Sequence, residues 1–293
     1  MSWDRRGLMA GLAAGLLAPA AFARTYGDTV NTIGENLDEI RAKGRIRIAF
    51  YRDFFPYAYE AGGRWTGIDV DLAALIAERL GVALEPMPFT AGETVDDDLR
   101  NVVWRGSVVD KSWANLLLHV PVNRELEIRS ELAVVFGAYH VERLALALDP
   151  ERFEGEFTAE DLVGRKVGVE IDTLGDFWLS MAEGGRVREA VVHFPTTDLA
   201  AAALKTGEVD AMVAPMGQIE ALLGAERARM ELRTDDFAGL AVTSWPIGCS
   251  VRENARDLGY AVGDIVDAAM RDGAIPAIFA RHGVTWRAPV VLD

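Results

Sequence analysis

One stretch near the amino-terminal end, residues 44–82, constrains the fold more than any other part of the chain. Polar and apolar residues alternate over residues 45–50, which predicts a β-strand. An aromatic loop follows over residues 51–57, and leucines and isoleucines at helical spacing come next. We expect Asp69 and Asp71 to cap that helix and to complement its dipole. The stretch therefore predicts the first half of a βα unit whose loop can line a ligand site.

The first 23 residues have the features of an export signal. Arg5 and Arg6 precede an apolar run over residues 7–18, and Ala21-Phe22-Ala23 matches a small-x-small cleavage site. We expect residues 1–23 to be removed after export by the Sec or the twin-arginine route. Residues 24–35 are then predicted to form an amino-terminal tail.

Composition excludes several classes of function. The chain has 30 Lys and Arg against 45 Asp and Glu, a net charge of −15, so nucleic acid and anionic membrane are not expected partners. Cys249 is the only cysteine, which excludes an intrachain disulfide. The sequence has no Ser-His-Asp order, metal-ligand spacing or glycine-rich phosphate loop. We therefore predict no catalytic residue, no metal and no cofactor.

The aromatic loop with its proline, followed by Gly67-Ile-Asp-Val-Asp-Leu72 and Arg79-Leu-Gly-Val82, resembles family 3 of the bacterial extracellular solute-binding proteins. Further stretches resemble the same family in order and spacing, namely residues 164–169, 206–215, 246–252 and 278–283. The resemblance spans about residues 36 to 284. Proteins of this family are the receptor subunits of ABC importers.

The resemblance implies an α/β fold of the type II periplasmic binding protein class. Each of two lobes has a mixed, mostly parallel sheet flanked by helices, and the ligand cleft lies between the lobes at a two-strand hinge. We expect lobe 1 to comprise residues 36–139 and 246–293, and lobe 2 residues 140–245. The predicted function is that of a periplasmic receptor that passes a small solute to ABC transporter membrane subunits. We expect the receptor to be a monomer.

The resemblance also implies ligand contacts in the first lobe. Phe54 occupies the stacking position of the family, and its neighbours Tyr51, Phe55 and Tyr57 are expected to cover an apolar or planar part of the ligand. Arg124 corresponds to the arginine that binds a ligand carboxylate. Pro121 replaces a threonine of that motif, and His119 is a candidate to supply the missing polar contact.

In the second lobe the sequence departs from the family pattern. Thr173 is retained from a Gly-Thr-Thr turn, and Asp172 beside it is either a helix N-cap or an acceptor for a ligand donor. Pro215 stands where the family has the aspartate that binds the amino group of an amino acid. We therefore predict an acidic solute that carries a carboxylate and lacks an α-ammonium group.

Two alternatives stay open at the level of sequence. Residues 98–106 and 118–122 also resemble solute-binding-like proteins associated with quinoprotein dehydrogenases, which implies that either a planar polycarboxylate cofactor or a dehydrogenase partner is bound. Residues 107–113 are an insertion that either changes the cleft or lies on the surface.

An enzyme resembling cyclohexadienyl dehydratases is less favoured, since Glu170 or Asp172 would have to act as general acid or base.

Overall fold

The structure is a computed structural model that describes residues 33–153, 157–235 and 237–289. The predicted signal peptide, residues 1–23, and most of the predicted tail lie outside these ranges. Within them, no helix has both the length and the apolar character needed to cross a membrane.

The first half of the chain builds a sheet of parallel strands with helices packed on it. Its elements are α1 (Leu37–Lys43), β1 (Arg45–Tyr51), β2 (Tyr59–Ala61), β3 (Arg64–Thr66), α2 (Ile68–Leu80), β4 (Ala83–Phe89), α3 (Val95–Asp98, continued by a π-helix over Leu99–Trp104), β5 (Leu116–Pro121), α4 (Arg124–Arg129) and β6 (Ala133–Leu148). Strand β1 pairs in parallel with β4 and β5. The predicted strand, aromatic loop and helix are therefore present.

The second half repeats this alternation before the chain returns to the first sheet. Its elements are β7 (Val167–Glu170), α5 (Leu174–Met181), β8 (Val191–Phe194), α6 (Thr197–Thr206), β9 (Ala211–Pro215), α7 (Met216–Leu223), β10 (Glu231–Arg233), β11 (Ser244–Arg252), α8 (Arg256–Arg271) and α9 (Ala274–Arg281). Strand β7 pairs in parallel with β8 and β9.

The strand order, β4-β1-β5-β11-β6-β9-β7-β8 with β10 on β6, places the two long antiparallel strands in the middle. The first part of β6 pairs with β11, and its last part, from Leu144, pairs with β9. Strand β6 is continuous from Ala133 and passes through His140, where the sequence places the start of the second lobe. Strands β6 and β11 form the predicted two-strand hinge, so the two-lobed α/β fold is confirmed.

Each lobe has buried apolar residues of its own. Ile46, Leu72 and Phe279 belong to one core in the first lobe, and Val167 and Trp178 belong to another in the second. Burying a large apolar side chain contributes about 1.5–3 kcal/mol, so each core can hold its own lobe together. The lobe boundaries predicted near residues 140 and 245 stay a prediction.

The parallel strands of both lobes end at the same place, because the last residues of β1 and β5 and those of β7 and β9 all approach the space between the lobes. In open α/β sheets, ligands bind at the carboxyl ends of the strands. This edge of the two sheets is where the candidate site lies.

Candidate functional site

Two adjoining cavities, of about 380 and 340 Å³, open between the lobes. Asp53, Phe54, Pro215 and Trp245 line both of them, so the cavities are parts of one cleft. Tyr51 and His119 belong to the first-lobe side, whereas Glu170, Thr173 and Thr197 belong to the second-lobe side. The size is that of a site for a small molecule.

Phe54 lies at the centre of the cleft, where both cavities meet. Its loop is closed by backbone hydrogen bonds from Phe54 N to Ala58 O at 2.8 Å and from Tyr57 N to Phe54 O at 2.7 Å. Its ring stacks on Tyr57 with centroids 5.0 Å apart. Phe55 lines the second-lobe cavity, and its carbonyl accepts a hydrogen bond from Gln218 Nε2 at 3.1 Å. Contact of these two rings with a ligand stays a prediction.

Tyr57 does not face the cleft in this structure. The side chain is fully buried in the first-lobe core, and its hydroxyl donates a hydrogen bond to Glu142. Burial raises the pKa of Tyr57 well above its ordinary range, and the charge of Glu142 adds to the effect. Tyr57 therefore supports the rings that line the cleft and, in this arrangement, does not line it.

Tyr51 is one of the residues that line the first-lobe cavity. Its hydroxyl donates a hydrogen bond to Asp98 Oδ2 at 3.0 Å, and Gly92 N donates to Asp98 Oδ1 at 2.7 Å. Burial raises the pKa of Tyr51 well above its ordinary range, and the charge of Asp98 raises it further. Tyr51 is thus a neutral side chain that presents its ring to the cleft.

His119 is fixed by a buried polar network beneath the cleft. Its Nδ1 lies 3.1 Å from Asp69 Oδ2, and Tyr139 Oη donates to Asp69 Oδ1 at 3.1 Å. The expectation that Asp69 and Asp71 cap helix α2 is wrong, since Gly67 is the N-cap and no side chain bonds there, but both acids do lie in its first turn. Asp69 is fully buried, and its two hydrogen-bonded contacts orient His119 and Tyr139 in the first-lobe wall.

Arg124 lies beyond the two cavities, at the start of helix α4 and just past the end of β5. Asn123 caps this helix by accepting a hydrogen bond from Leu126 N at 2.8 Å. Arg124 is exposed and makes no ion pair with any residue that the structure describes. Arg124 is not part of the lining of either cavity, so its contact with a ligand stays a prediction.

Thr173 and Asp172 have different positions in the second-lobe wall. Thr173 is the N-cap of helix α5, where its Oγ1 accepts from Asp176 N at 3.3 Å, and it lines the cavity. Asp172 is exposed with φ of 61°, and its backbone N–H donates to Asp176 Oδ2 at 3.0 Å. The interpretation of Asp172 as the helix cap is therefore wrong, because the shorter threonine side chain sits at the cap position.

Sequence reasoning missed several side chains that line the cleft. These are Glu142, Trp245, Gln218 and Thr197, with Glu170 considered only as a possible acid. The one available signal was an acidic residue, Glu142, within a strand that is otherwise mostly apolar. The partners of these residues are distant in sequence, so no local pattern marks them.

Two of these side chains are carboxylates that already have partners. Glu142 is buried and accepts hydrogen bonds from Tyr57 Oη, from Gly217 N at 3.2 Å and from Arg143 N at 2.8 Å. Burial nevertheless raises the pKa of Glu142. Glu170 accepts from both the backbone N–H, at 2.9 Å, and the hydroxyl of Thr197. Both acids therefore anchor the wall through hydrogen bonds within the protein.

No metal centre is apparent in the described ranges, since no three His, Cys, Asp or Glu side chains there are grouped to hold an ion. The cleft is instead lined by aromatic rings, short polar side chains and carboxylates, of which Glu142 and Glu170 have partners within the protein. Such a lining binds and orients a small molecule.

Comparison with known proteins agrees with this arrangement. Residues 46–101 match the family model described as bacterial extracellular solute-binding proteins, family 3. The L-cystine-binding protein TcyJ of Escherichia coli K12 is 22% identical over 270 residues, which cover 90% of this chain and 92% of that protein. The relative therefore spans nearly the whole chain.

Solved structures share the fold. An ancestral cationic amino acid solute-binding protein, AncCDT-1, superposes with a TM-score of 0.65 at 20% identity and covers 84% of this chain and 99% of its own. Another structure of AncCDT-1 is described as a precursor of cyclohexadienyl dehydratase. A mutant of ArgBP from T. maritima has a TM-score of 0.55 at 25% identity, covering 84% and 97%. The chain is therefore similar to family 3 of the bacterial extracellular solute-binding proteins over residues 46–101, and it shares its fold with these solved structures.

Proposed function

We propose that the protein is a periplasmic receptor of an ABC-type importer, which closes its two lobes on a small solute and presents it to the membrane subunits. The observation that carries this proposal is the cleft at the carboxyl ends of both sets of strands, where four residues line the cavities of both lobes. We further propose that the receptor acts as a monomer.

We propose that the solute carries a carboxylate. Arg124 supports this, because it is a guanidinium without an ion-pair partner among the described residues, and a free guanidinium can bind a carboxylate. On the opposite wall, Thr173 and Gly175 line the cavity at the start of helix α5. The N–H groups and the dipole at a helix start favour a negative group.

The centre of the cleft favours a flat or apolar portion of the solute. Phe54, Trp245 and Pro215 line both cavities and present ring surfaces there. Pro215 carries no charge for an ammonium group. The carboxylate of Glu142 has partners on both oxygens, and that of Glu170 has partners on Oε2. These features together support a small acid with a planar or apolar body.

Thermal unfolding against a panel of carboxylates, amino acids and quinone cofactors tests this proposal. We expect one class of small acid to raise the melting temperature of the wild type, because a ligand that binds only the folded state stabilises it. Arg124→Ala should lose that rise. Arg129→Ala is the matched control, since Arg129 is on the same helix but forms ion pairs with Asp96 and Glu125. An equal rise in all three proteins would contradict a role for Arg124.

A second candidate is an accessory protein that docks on a periplasmic quinoprotein dehydrogenase. The observation that favours it is the inserted segment, residues 107–113, which does not line the cleft and exposes Val108 and Val109. Val109 is 90% exposed, which is unusual for valine. If no small molecule in the panel stabilises the protein, this alternative becomes the stronger one.

An enzymatic function is the least favoured proposal. The matched relative and most of the neighbouring structures are solute-binding proteins, although one neighbour is described as a precursor of cyclohexadienyl dehydratase. Of the two candidate general acids or bases, Glu170 is bonded to Thr197 and Asp172 lies outside the cavity lining. Glu170 thus lines the cavity with one oxygen held by Thr197, and we give an acid or base role the lowest weight among the three functions.

A further inference from the structure

The aromatic loop of the first lobe is bonded to helix α7 of the second lobe, and this contact goes beyond ligand binding. Gln218 Nε2, in the first turn of α7, donates to the carbonyl of Phe55 at 3.1 Å. Tyr57 Oη donates to Glu142, whose carboxylate also accepts from Gly217 N at 3.2 Å. Two side-chain links therefore join this loop to α7.

The residues at this contact come from separate cores. Tyr57 belongs to the first-lobe core with Ile48, whereas Met216 and Ile219 of α7 belong to a second-lobe core. Glu142 lies between them on the hinge strand β6 and lines the cleft. The contact thus joins the aromatic loop of the first lobe, the hinge strand and helix α7 of the second lobe beside the cleft.

Backbone packing shows how closely the two lobes approach here. A Cβ atom at Gly217 would lie 2.8 Å from Glu142 Oε2 and would overlap Tyr57 Oη even more severely. Such distances are too short for any real Cβ contact, so only glycine fits at position 217 while the loop is in this place. The glycine therefore allows the tyrosine hydroxyl to reach the carboxylate.

We infer that Tyr57, Glu142 and Gly217 form a latch that holds the lobes in the closed arrangement without a ligand and fixes Phe54 in the cleft. The latch is a buried, charge-assisted hydrogen bond, which is stronger than a bond at the surface. A rotation about the hinge that separates the loop from α7 must break it. The latch thereby sets the ratio of open to closed receptor, and that ratio scales the apparent affinity for any solute.

Single-molecule energy transfer on the ligand-free protein tests the latch. Dyes are attached at Glu127→Cys in the first lobe and Lys205→Cys in the second, both of which are exposed positions. Cys249 is fully buried and should not react with the dyes. The measurement gives the fraction of molecules with separated lobes and does not require a known ligand, so it succeeds or fails independently of the proposed solute.

Tyr57→Phe should raise the open-to-closed ratio about tenfold or more, because a hydrogen bond to a charged group is lost. Gly217→Ala should raise it as well, since the added methyl group displaces the tyrosine. Tyr59→Phe is the control: Tyr59 is in the strand after the loop, its ring packs on Phe55, and its hydroxyl makes no hydrogen bond among the described residues. Circular dichroism melts establish that each variant is folded.

Two results would overturn the latch. One is a wild-type distribution of distances in both Tyr57→Phe and Gly217→Ala. The other is an equal change in Tyr59→Phe, which would assign the effect to the loop in general. If Gly217→Ala does not fold, Gln218→Ala replaces it, because this change removes the second link to Phe55 without adding atoms.

Discussion

The first-lobe and second-lobe walls of the cleft are held by different kinds of interaction. The first-lobe wall is continuous with a core, since Tyr57 and Asp69 are fully buried and fix Phe54 and His119 from below. The second-lobe wall consists of the starts of helices and short polar side chains such as Thr173. A substitution in the first wall should therefore cost stability, whereas one in the second should mainly change binding.

The largest expected effect is in the first wall, at Gly67→Ala. Gly67 has φ of 128°, and a Cβ atom there would overlap the backbone carbonyl of Tyr57. We expect a loss of about 3–5 kcal/mol in the free energy of unfolding, since both backbone strain and a steric clash oppose the change. Urea denaturation measures it.

Gly63→Ala is the matched control for Gly67→Ala. Gly63 also has a positive φ, of 73°, but no atom outside its two chain neighbours lies within 4 Å of the place that a Cβ atom would occupy. We expect a loss of about 1 kcal/mol from the backbone conformation alone. Equal losses at both glycines would show that the contact of Gly67 with Tyr57 is unimportant.

The next largest effect concerns the hinge that joins the walls, at His140. The side chain is fully buried, its Nδ1 accepts a hydrogen bond from Arg287 N at 3.1 Å, and Nε2 has no partner in the described ranges. Burial lowers the pKa of His140 from 6.5 to about 3, and the charge of Arg287 contributes. The His140 side chain therefore takes up a proton near pH 6.5 in the unfolded chain, but only near pH 3 in the folded protein.

The contribution of neutral His140 to the free energy of unfolding is therefore fully present above pH 6.5. It is lost progressively as the pH falls toward 3. We expect a loss of about 2–3 kcal/mol between pH 6.5 and pH 4.5, since each unit of pKa difference corresponds to about 1.4 kcal/mol. Urea denaturation at a series of pH values measures it. In His140→Asn, which keeps an acceptor for Arg287 N, this part of the pH dependence should vanish; an unchanged slope would refute the assignment.

A smaller effect is expected in the second wall, at Thr173→Ala. The change removes the side-chain cap of helix α5 and should cost about 1 kcal/mol. Thr196→Ala is the control, because Thr196 is also an N-cap residue in the same cavity but makes no capping hydrogen bond. Thermal denaturation compares the two. A loss at Thr173 as large as that at Gly67 would erase the difference between the walls.

The smallest effect on stability is expected for Arg124→Ala. The side chain is exposed and has no ion-pair partner among the described residues, so the free energy of unfolding should change by less than about 0.5 kcal/mol. Denaturation without ligand measures it. A clear loss of stability would indicate that Arg124 has a structural role and would weaken its assignment to a solute carboxylate.

The difference between the two walls of the cleft also explains which parts of the candidate site can be predicted from sequence. The first-lobe wall follows from local pattern, since strand, aromatic loop and helix are consecutive, and the pattern puts Phe54 in the loop that lines the cleft. The bond between Tyr57 and Glu142 joins residues 85 positions apart, so no local signal reveals it. In the second lobe, Thr173 and Asp172 compete for one cap, and only the backbone conformation decides between them.

Native mass spectrometry of the protein released from the periplasm of cells that produce it is the most direct test of the receptor function. We expect a bound small acid on the wild type and on Arg129→Ala, and a much weaker signal on Phe54→Ala, whose ring lines both cavities. A protein without any bound molecule, which also fails to bind members of the carboxylate panel added afterwards, would contradict the receptor function.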